Sequence, residues 1–366
     1  MRVVFLSDAN SIHTARWVNA FAERGHEIYL LYNRNQTPRV HKIDERVKQI
    51  PLIFSGKIGY YANRFQLHSI LKNIKPDIVN AHYASGYGTL ARVTGIKKMI
   101  LSVWGSDVYD FPYQSKMNYK IIRKNLLHTN YIASTSECMA NKVRELLGEQ
   151  VRRIVVTPFG VDLKKFDPQI IQSNKDKLRV GVIKNLQRIY GIDDFLKAMQ
   201  IVRNELKQEN NELADQICVE IYGEGEQETE LKKLSQKLGI EDIVDFKGRI
   251  SNDKVPEVLA QLSVFCNMTR VRESFGVSVV EAMAMKVPVV VTDAEGTVEV
   301  TANGAAGIVV EKQNIKEMAN QIKKLLLDEV YRKQIGEVER KRVEAVYDWE
   351  KNVDIMENFY KDVIER

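Results

Sequence analysis

Cysteine is scarce in this sequence, with only Cys138, Cys218 and Cys266 among 366 residues. They stand far apart in apolar stretches without metal-ligand spacing, which argues against a disulfide framework or a zinc site and leaves reduced core thiols as the expectation. Long apolar runs are missing too. No segment reaches the roughly 18 residues that a spanning helix needs. The opening Met1-Arg2-Val3-Val4-Phe5-Leu6 is too short for a signal peptide, so a cytoplasmic protein is expected. Acidic residues are sparse in the first half. Residues 1–165 carry 25 Lys and Arg against 12 Asp and Glu, a net +13, whereas the remainder carries 29 against 36, a net −7. Such a basic half would draw an anionic partner, whether phospholipid, a lipid-linked phosphate, a small acid or nucleic acid; the plain alternative is a solvated surface. No nucleic-acid-binding module is present, which sets that class aside.

The rest of the composition is ordinary. With 44% apolar and 28% charged residues, a chain of this length reads as two globular α/β domains. An apolar run at Val3 to Leu6 is short enough for a buried strand. Ala15, Val18, Phe21 and Ala22 then fall on one helical face, Gly25 stops the helix, and Ile28 to Leu31 forms a second strand. Further strands are predicted at Ile78 to Ala81, Met99 to Val103, Tyr131 to Ala133 and Ile154 to Val156, with helix-length segments between them. Phe159 to Lys177, with Gly160, Asp162, Asp167, Pro168, Ser173 and Asn174, has linker chemistry. A second series follows at Val180 to Ile183, Val219 to Tyr222, Val244 to Phe246, Val264 to Cys266, Val289 to Thr292 and Ile308 to Val310. The fold class is therefore two Rossmann-like, doubly wound domains, at 1–165 and 166–345, facing a central cleft with ligands beyond the carboxyl ends of the strands. After about Asn314 the chain reads as helical, in two apolar-periodic stretches broken near Tyr347-Asp348-Trp349, and the 346–366 tail is expected to cross back to the first domain.

The chemistry concentrates between Arg272 and Glu299. Glu273-Ser274-Phe275-Gly276-Val277-Ser278-Val279-Val280-Glu281 is a polar loop running into a helix, whose start offers backbone N–H groups and a positive dipole end to a phosphate. Gly276 permits close backbone approach. Glu273 before the loop and Glu281 one turn inside the helix can accept hydrogen bonds from sugar hydroxyls on either side of a diphosphate. The bland reading is a loop-helix junction with a packed Phe275 and two solvated glutamates.

Glu273 to Glu281 with Phe275-Gly276, followed by Glu-Ala-Met-Ala and Pro-Val-Val, resembles the E-x7-E signature of retaining glycosyltransferase family 4, a family of GT-B fold. The likeness covers nearly the whole chain. It implies that Glu273 contacts the donor sugar, that the backbone of Gly276 and Val277 meets the diphosphate, that Ser274 and Phe275 belong to the donor side, and that Glu281 holds the ribose. Weaker matches are Gly25-His26-Glu27-Ile28, Phe159-Gly160-Val161-Asp162 and Tyr222-Gly223-Glu224-Gly225; the last lacks the third glycine and the later acid of a dinucleotide fingerprint. Gly223 is assigned to the donor side. The stretch Phe246-Lys247-Gly248-Arg249-Ile250 is similar to the family's nucleobase edge, which places Arg249 and Ile250 at the base.

Cations for the diphosphate are expected from the loop after Gly181-Val182-Ile183. Lys184 ends that strand. Tyr190 stands where the family often has a Lys, and Arg188 is the proposed substitute. On the acceptor side, His82 matches the family's cleft histidine, and Trp104-Gly105-Ser106-Asp107 is similar to a His-Gly-Ser-Asp pattern with Trp104 in place of the His. The first loop lacks the family's paired glycines; Asn10 and His13, with Asp8, are its candidate contacts, while helix capping by Ser11 or Asn10 explains the same residues.

The resemblance implies a retaining hexosyl- or N-acetylhexosaminyl-transferase. A nucleotide sugar, with UDP favoured, serves as co-substrate, with no metal and no other cofactor. The family's commonest bacterial acceptors are surface glycans and lipid-linked polysaccharide precursors. Basic residues mixed with Tyr, Phe, Ile and Leu between Lys57 and Lys75, and between Tyr113 and Lys124, suit either the anionic inner face of a membrane or a solvated amphipathic helix. Two readings compete with transfer: a nucleotide-sugar epimerase of the same architecture, and a non-catalytic nucleotide-sugar-binding protein.

Overall fold

The computed structural model describes residues 1–150, 152–171 and 177–366. They form two compact units, Met1–Phe159 with Glu350–Arg366, and Gly160–Trp349. The first unit runs β1 (Arg2–Leu6), α1 (Ile12–Glu23), β2 (Glu27–Asn33), β3 (Lys48–Leu52), α2 (Gly56–Ala62), α3 (Arg64–Ile74), β4 (Ile78–His82), α4 (Gly88–Thr94), β5 (Met99–Val103), α5 (Ser106–Tyr109), α6 (Lys116–His128), β6 (Tyr131–Ser134), α7 (Glu137–Leu147) and β7 (Arg153–Val156). Its seven strands are ordered β3-β2-β1-β4-β5-β6-β7, and the paired strands run parallel. Parallel strands are covered on both faces, which is why β1, β4 and β5 are near-continuous apolar runs with almost every residue buried. The face of α1 predicted from its spacing is buried, together with Thr14, Trp17 and Ala20.

The second unit runs β8 (Leu178–Ile183), α8 (Ile192–Glu209), α9 (Asn211–Asp215), β9 (Ile217–Tyr222), α10 (Glu228–Lys237), β10 (Val244–Gly248), α11 (Val255–Gln261), β11 (Val264–Asn267), α12 (Val277–Ala284), β12 (Val289–Thr292), α13 (Glu295–Val300), β13 (Ile308–Val310), α14 (Ile315–Leu327) and α15 (Glu329–Val346). Its sheet has the order β10-β9-β8-β11-β12-β13, again with parallel pairing. A last helix, α16 (Trp349–Glu365), belongs to the first unit from Glu350 onward. Tyr360 on it is fully buried, stacks on Phe21 at 4.9 Å and accepts a 2.6 Å hydrogen bond from Asn80. Arg24 reaches Asp354 and Glu357 from the other side.

Each predicted strand is present, most of them a residue or two longer than read. One strand was missed. In β3, Lys-Gln-Ile-Pro-Leu, only Leu52 is buried, and Pro51 is tolerated because the strand lies at the sheet edge. The C-terminal region holds three helices rather than two stretches, because Asp328 caps α15 by accepting from the Tyr331 N–H and so divides it from α14. In the linker, Asp162 and Asp167 fold the chain through bonds to the N–H groups of Lys164 and Gln169, while Ser173 and Asn174 lie outside the described residues. Only Cys266 is in the core; Cys138 and Cys218 are half-buried, and none of the three is in a disulfide. Among the described residues no helix is long and apolar enough to cross a membrane.

Candidate functional site

Strand order reverses between β1 and β4 in the first unit, and between β8 and β11 in the second. In doubly wound sheets the crevice beyond the carboxyl ends at such a reversal is where ligands collect. The candidate residues gather at these two places.

In the second unit, β11 ends at Asn267 and the chain loops through Glu273 to Gly276, whose φ of 91° places it in the left-handed region at the start of α12. The N–H groups of Val279 and Val280 are the first to turn back, both onto the Gly276 carbonyl. Those of Gly276, Val277 and Ser278 precede the helical ladder, at its positive end. The Glu273 carboxylate is held at both oxygens. Lys184 Nζ donates to Oε1 at 2.5 Å and Asn267 Nδ2 to Oε2 at 3.2 Å, with the Lys184 and Glu273 side chains 18% and 15% exposed. The same ammonium lies 4.7 Å from the centre of the Tyr190 ring, so Tyr190 offers it a π face. Behind Lys184 sits Gly223, with φ 138°. A Cβ there would stand 1.9 Å from the Lys184 carbonyl oxygen, so no other residue fits. Gly223 also donates to the Gly248 carbonyl at 2.8 Å, which ties the Lys184 loop to the end of β10, where exposed Arg249 and half-buried Ile250 follow.

Arg188 lies outside this cluster. It opens the short turn Arg188–Tyr190, and its side chain is 76% exposed and 3.6 Å from Glu230. Its carbonyl is occupied by Arg270, which also grips Asp193 and Asp194 at the start of α8. Sequence spacing sets the backbone position of Arg188 but not the direction of its side chain. Phe275 is buried edge-on against Tyr347, while Ser274 and Glu281 are half-buried.

In the first unit, His82 ends β4 and is 1% exposed; its Nδ1 lies 3.0 Å from Ser7 Oγ, which in turn meets Thr14 Oγ1 at 2.6 Å. The Trp104 ring packs 4.5 Å from His82 and edge-on to His13 and Phe159, and His13 stacks flat on Phe159 at 3.6 Å. Burial pushes both imidazoles down to about 3, so His82 and His13 are neutral at physiological pH and act as hydrogen-bonding or stacking rings, not cations.

Asp107 has a different task from the contact expected of it. It is fully buried and accepts from the N–H groups of Ala84, Gly105 and Trp104 at 2.8, 2.9 and 3.1 Å, which fixes the shape of the loop that presents Trp104. Burial raises its pKa, and those N–H bonds oppose the rise. Asn10 is engaged with the chain itself: its Oδ1 accepts from the Arg39 N–H, and its own N–H donates to Asp8. Ser11 occupies the capping position of α1 without a side-chain capping bond.

Two residues escaped the sequence reading. Asn267, the polar end of an otherwise apolar strand, carried a usable signal. Tyr83, directly after His82, has φ 74°, an uncommon conformation for a bulky residue, opens the π-turn Tyr83–Tyr87, and shares a short hydrogen bond with Ser106. Only the nearby Gly86 and Gly88 hinted at that turn. Among the described residues, no group of three or more His, Cys, Asp or Glu is placed to hold a metal ion.

Two family models match the chain: "Glycosyl transferase 4-like" over residues 2–136 and "Glycosyl transferases group 1" over residues 164–342. Among curated proteins it is 25% identical to N-acetyl-alpha-D-glucosaminyl L-malate synthase of Bacillus anthracis, over 94% of this chain and 91% of that one. It is also 25% identical to the N,N'-diacetylbacillosaminyl-diphospho-undecaprenol alpha-1,3-N-acetylgalactosaminyltransferase of Campylobacter jejuni, over 91% of each. Among solved structures, Anabaena HepE in complex with UDP superposes with a TM-score of 0.78 at 14% identity, over 99% of this chain and 100% of that one.

Proposed function

Because the chain belongs to the family 4 glycosyltransferases and has their GT-B fold, we propose that it moves a hexosyl or N-acetylhexosaminyl group from a nucleotide diphosphate sugar to an acceptor hydroxyl, with retention. The setting we assign is bacterial surface-glycan or lipid-linked polysaccharide synthesis, supported by the diphospho-undecaprenol in the name of the Campylobacter relative, and the place we assign is the cytoplasm. UDP is favoured as the nucleotide, since the Anabaena neighbour holds it.

One observation carries this reading: Glu273, fixed by Lys184 and Asn267 beside the N-terminus of α12. A diphosphate placed on the Gly276, Val277 and Ser278 N–H groups competes for the Lys184 ammonium. As the bond from the anomeric carbon to the diphosphate oxygen breaks, the leaving oxygen keeps the electron pair, and Lys184 with the helix dipole stabilises its charge. The acceptor hydroxyl oxygen bonds to the anomeric carbon from the same face while its proton passes to the leaving diphosphate. The freed Glu273 carboxylate then accepts from the sugar hydroxyls while positive charge grows on the ring. Glu281 takes the ribose, and backbone at Arg249 and Ile250 meets the base. Neutral His82 serves as a hydrogen-bonding group toward the sugar and acceptor. No metal or further cofactor enters this scheme.

The test is thermal stabilisation by a panel of nucleotide diphosphates and nucleotide sugars, run on wild type and Glu281→Ala, together with turnover of Glu273→Gln. A selective shift lost in Glu281→Ala, and a roughly 10²–10³-fold fall in turnover in the folded Glu273→Gln protein, are expected. No shift with any nucleotide would overturn the reading; an isomerised nucleotide sugar formed without acceptor would replace it by the epimerase.

A further inference from the structure

The first unit carries a cluster of exposed apolar side chains that its own fold leaves uncovered. On α2, Ile58 and Tyr61, one turn apart on the same helix face, are 73% and 46% exposed, and Phe65, at the start of α3, is 71% exposed. Beside them, Ile53 and Phe54 are 60% and 47% exposed. Their protrusion is built in. The fully buried Asn63 accepts from the Phe54 N–H and donates to the Phe54 carbonyl, and Gln66 accepts from the Ile53 N–H, so the backbone is pinned while the side chains point outward. Tyr113, in the turn before α6, and Met117 and Tyr119, in its first turn, are 54%, 65% and 38% exposed.

Both patches flank the Tyr83–Tyr87 turn. Tyr60 of α2 packs edge-on against Tyr87 at 5.2 Å, and Asn125 of α6 donates to the Ala84 carbonyl at 2.8 Å. The cations beside them set the partner. Residues 51–76 contain Lys57, Arg64, Lys72 and Lys75 and no Asp or Glu; residues 111–136 contain Lys116, Lys120, Arg123 and Lys124 and again no Asp or Glu. All eight are exposed. Helices of the second unit neutralise their cations internally, as in Lys232–Glu228 and Lys333–Glu329. Here no carboxylate is within reach along the helix.

We propose that this face of the first unit docks on the surface of an anionic phospholipid bilayer, with Ile53, Phe54, Ile58, Phe65 and Met117 entering the acyl boundary and the eight cations meeting lipid phosphates. Apolar wedges alone would suit a protein partner, and cations alone any polyanion. Their interleaving on one rigid face, without acids, fits the layered chemistry of a charged bilayer. The inference does not depend on the transferase reading, since none of these residues belongs to the nucleotide site.

The test is flotation of the full chain with vesicles of phosphatidylcholine alone and of phosphatidylcholine with about one-third phosphatidylglycerol. Wild type is expected to float with the anionic vesicles only. Replacing Lys116, Lys120, Arg123 and Lys124 by Gln lowers partitioning by roughly five-fold per charge. Ile58→Ser with Phe65→Ser leaves a binding that moderate salt abolishes, whereas wild type retains part of its binding in that salt. Far-ultraviolet dichroism and an unchanged thermal unfolding midpoint show that the variants are folded. Equal flotation with neutral vesicles, no flotation with anionic ones, or anionic binding indifferent to both variants overturns the proposal. So does binding to a soluble polyanion such as heparin with no vesicle binding.

Discussion

The two buried imidazoles of the first unit make stability depend on pH in a way that can be worked out beforehand. Both are held near 3 in the folded chain against an ordinary value of 6.5, because burial penalises the charged ring. Between those values each ring binds fewer protons folded than unfolded, so stability is retained above 6.5 and lost as pH falls through the window. At about pH 5 the unfolded ring is mostly protonated and the folded ring is not, a difference of about 2 kcal/mol per histidine. Buried acids act in the opposite sense. Burial raises Asp8, Asp107 and Glu339, and their destabilisation is relieved on acidification. The wild-type slope is therefore a sum, and a variant isolates one part of it. His13→Phe suits this purpose: the ring stacks on Phe159 at 3.6 Å, its buried Nδ1 has no hydrogen-bond partner, and phenylalanine keeps the stack without a titrating group. Urea unfolding followed by tryptophan fluorescence at about pH 7 and pH 5 should show the acid-induced loss shrinking by about 2 kcal/mol in the variant. A His13→Phe protein with the wild-type pH slope would refute the assignment of a neutral, buried His13.

Asp107→Ala should cost about 3 kcal/mol or more in the same unfolding assay, because the N–H groups of Ala84, Trp104 and Gly105 lose a shared buried acceptor; a cost below about 1 kcal/mol would show that the loop does not depend on it. Gly223→Ala should abolish nucleotide-induced stabilisation, since the new methyl would stand 1.9 Å from the Lys184 carbonyl. Gly239→Ala, at φ 66° with nothing within 4 Å, is the control and should cost only about 1 kcal/mol and leave the shift intact.

What the sequence disclosed follows from what repeats locally. Strands buried on both faces are short and mainly apolar, so β1, β4, β5 and β12 were visible, while β3, with one buried residue, was not. The loop from Glu273 to Glu281 was legible because its glycine, carboxylates and following helix are contiguous. The contacts that hold its first carboxylate were not. Lys184 and Glu273 are 89 positions apart and meet only because β8 and β11 are neighbours in the sheet. Asp107 illustrates the reverse case: a carboxylate in a loop resembling an acceptor site turns inward once the backbone around it is folded.

In the proposed donor site, Tyr190 stands where the family resemblance places a lysine, and this changes how the site would balance its charge. The cluster contains one ammonium, Lys184, one carboxylate, Glu273, and a neutral aromatic face in place of a second cation. Before a donor binds, these two charges compensate each other, and Asn267 with the Tyr190 ring keeps them in position at little electrostatic cost. In the proposed scheme a diphosphate brings negative charge that Lys184 and the three leading N–H groups of α12 must meet. The ammonium then leaves Glu273 to answer it, and the carboxylate becomes available for sugar hydroxyls only when the diphosphate is seated. A nucleoside diphosphate lacking the sugar would also draw Lys184 away, yet it would leave Glu273 without a partner beyond Asn267. On this logic the complete nucleotide sugar binds with an advantage larger than its hydroxyl contacts alone supply. Removing the carboxylate should therefore narrow the gap between nucleotide and nucleotide sugar rather than weaken both alike.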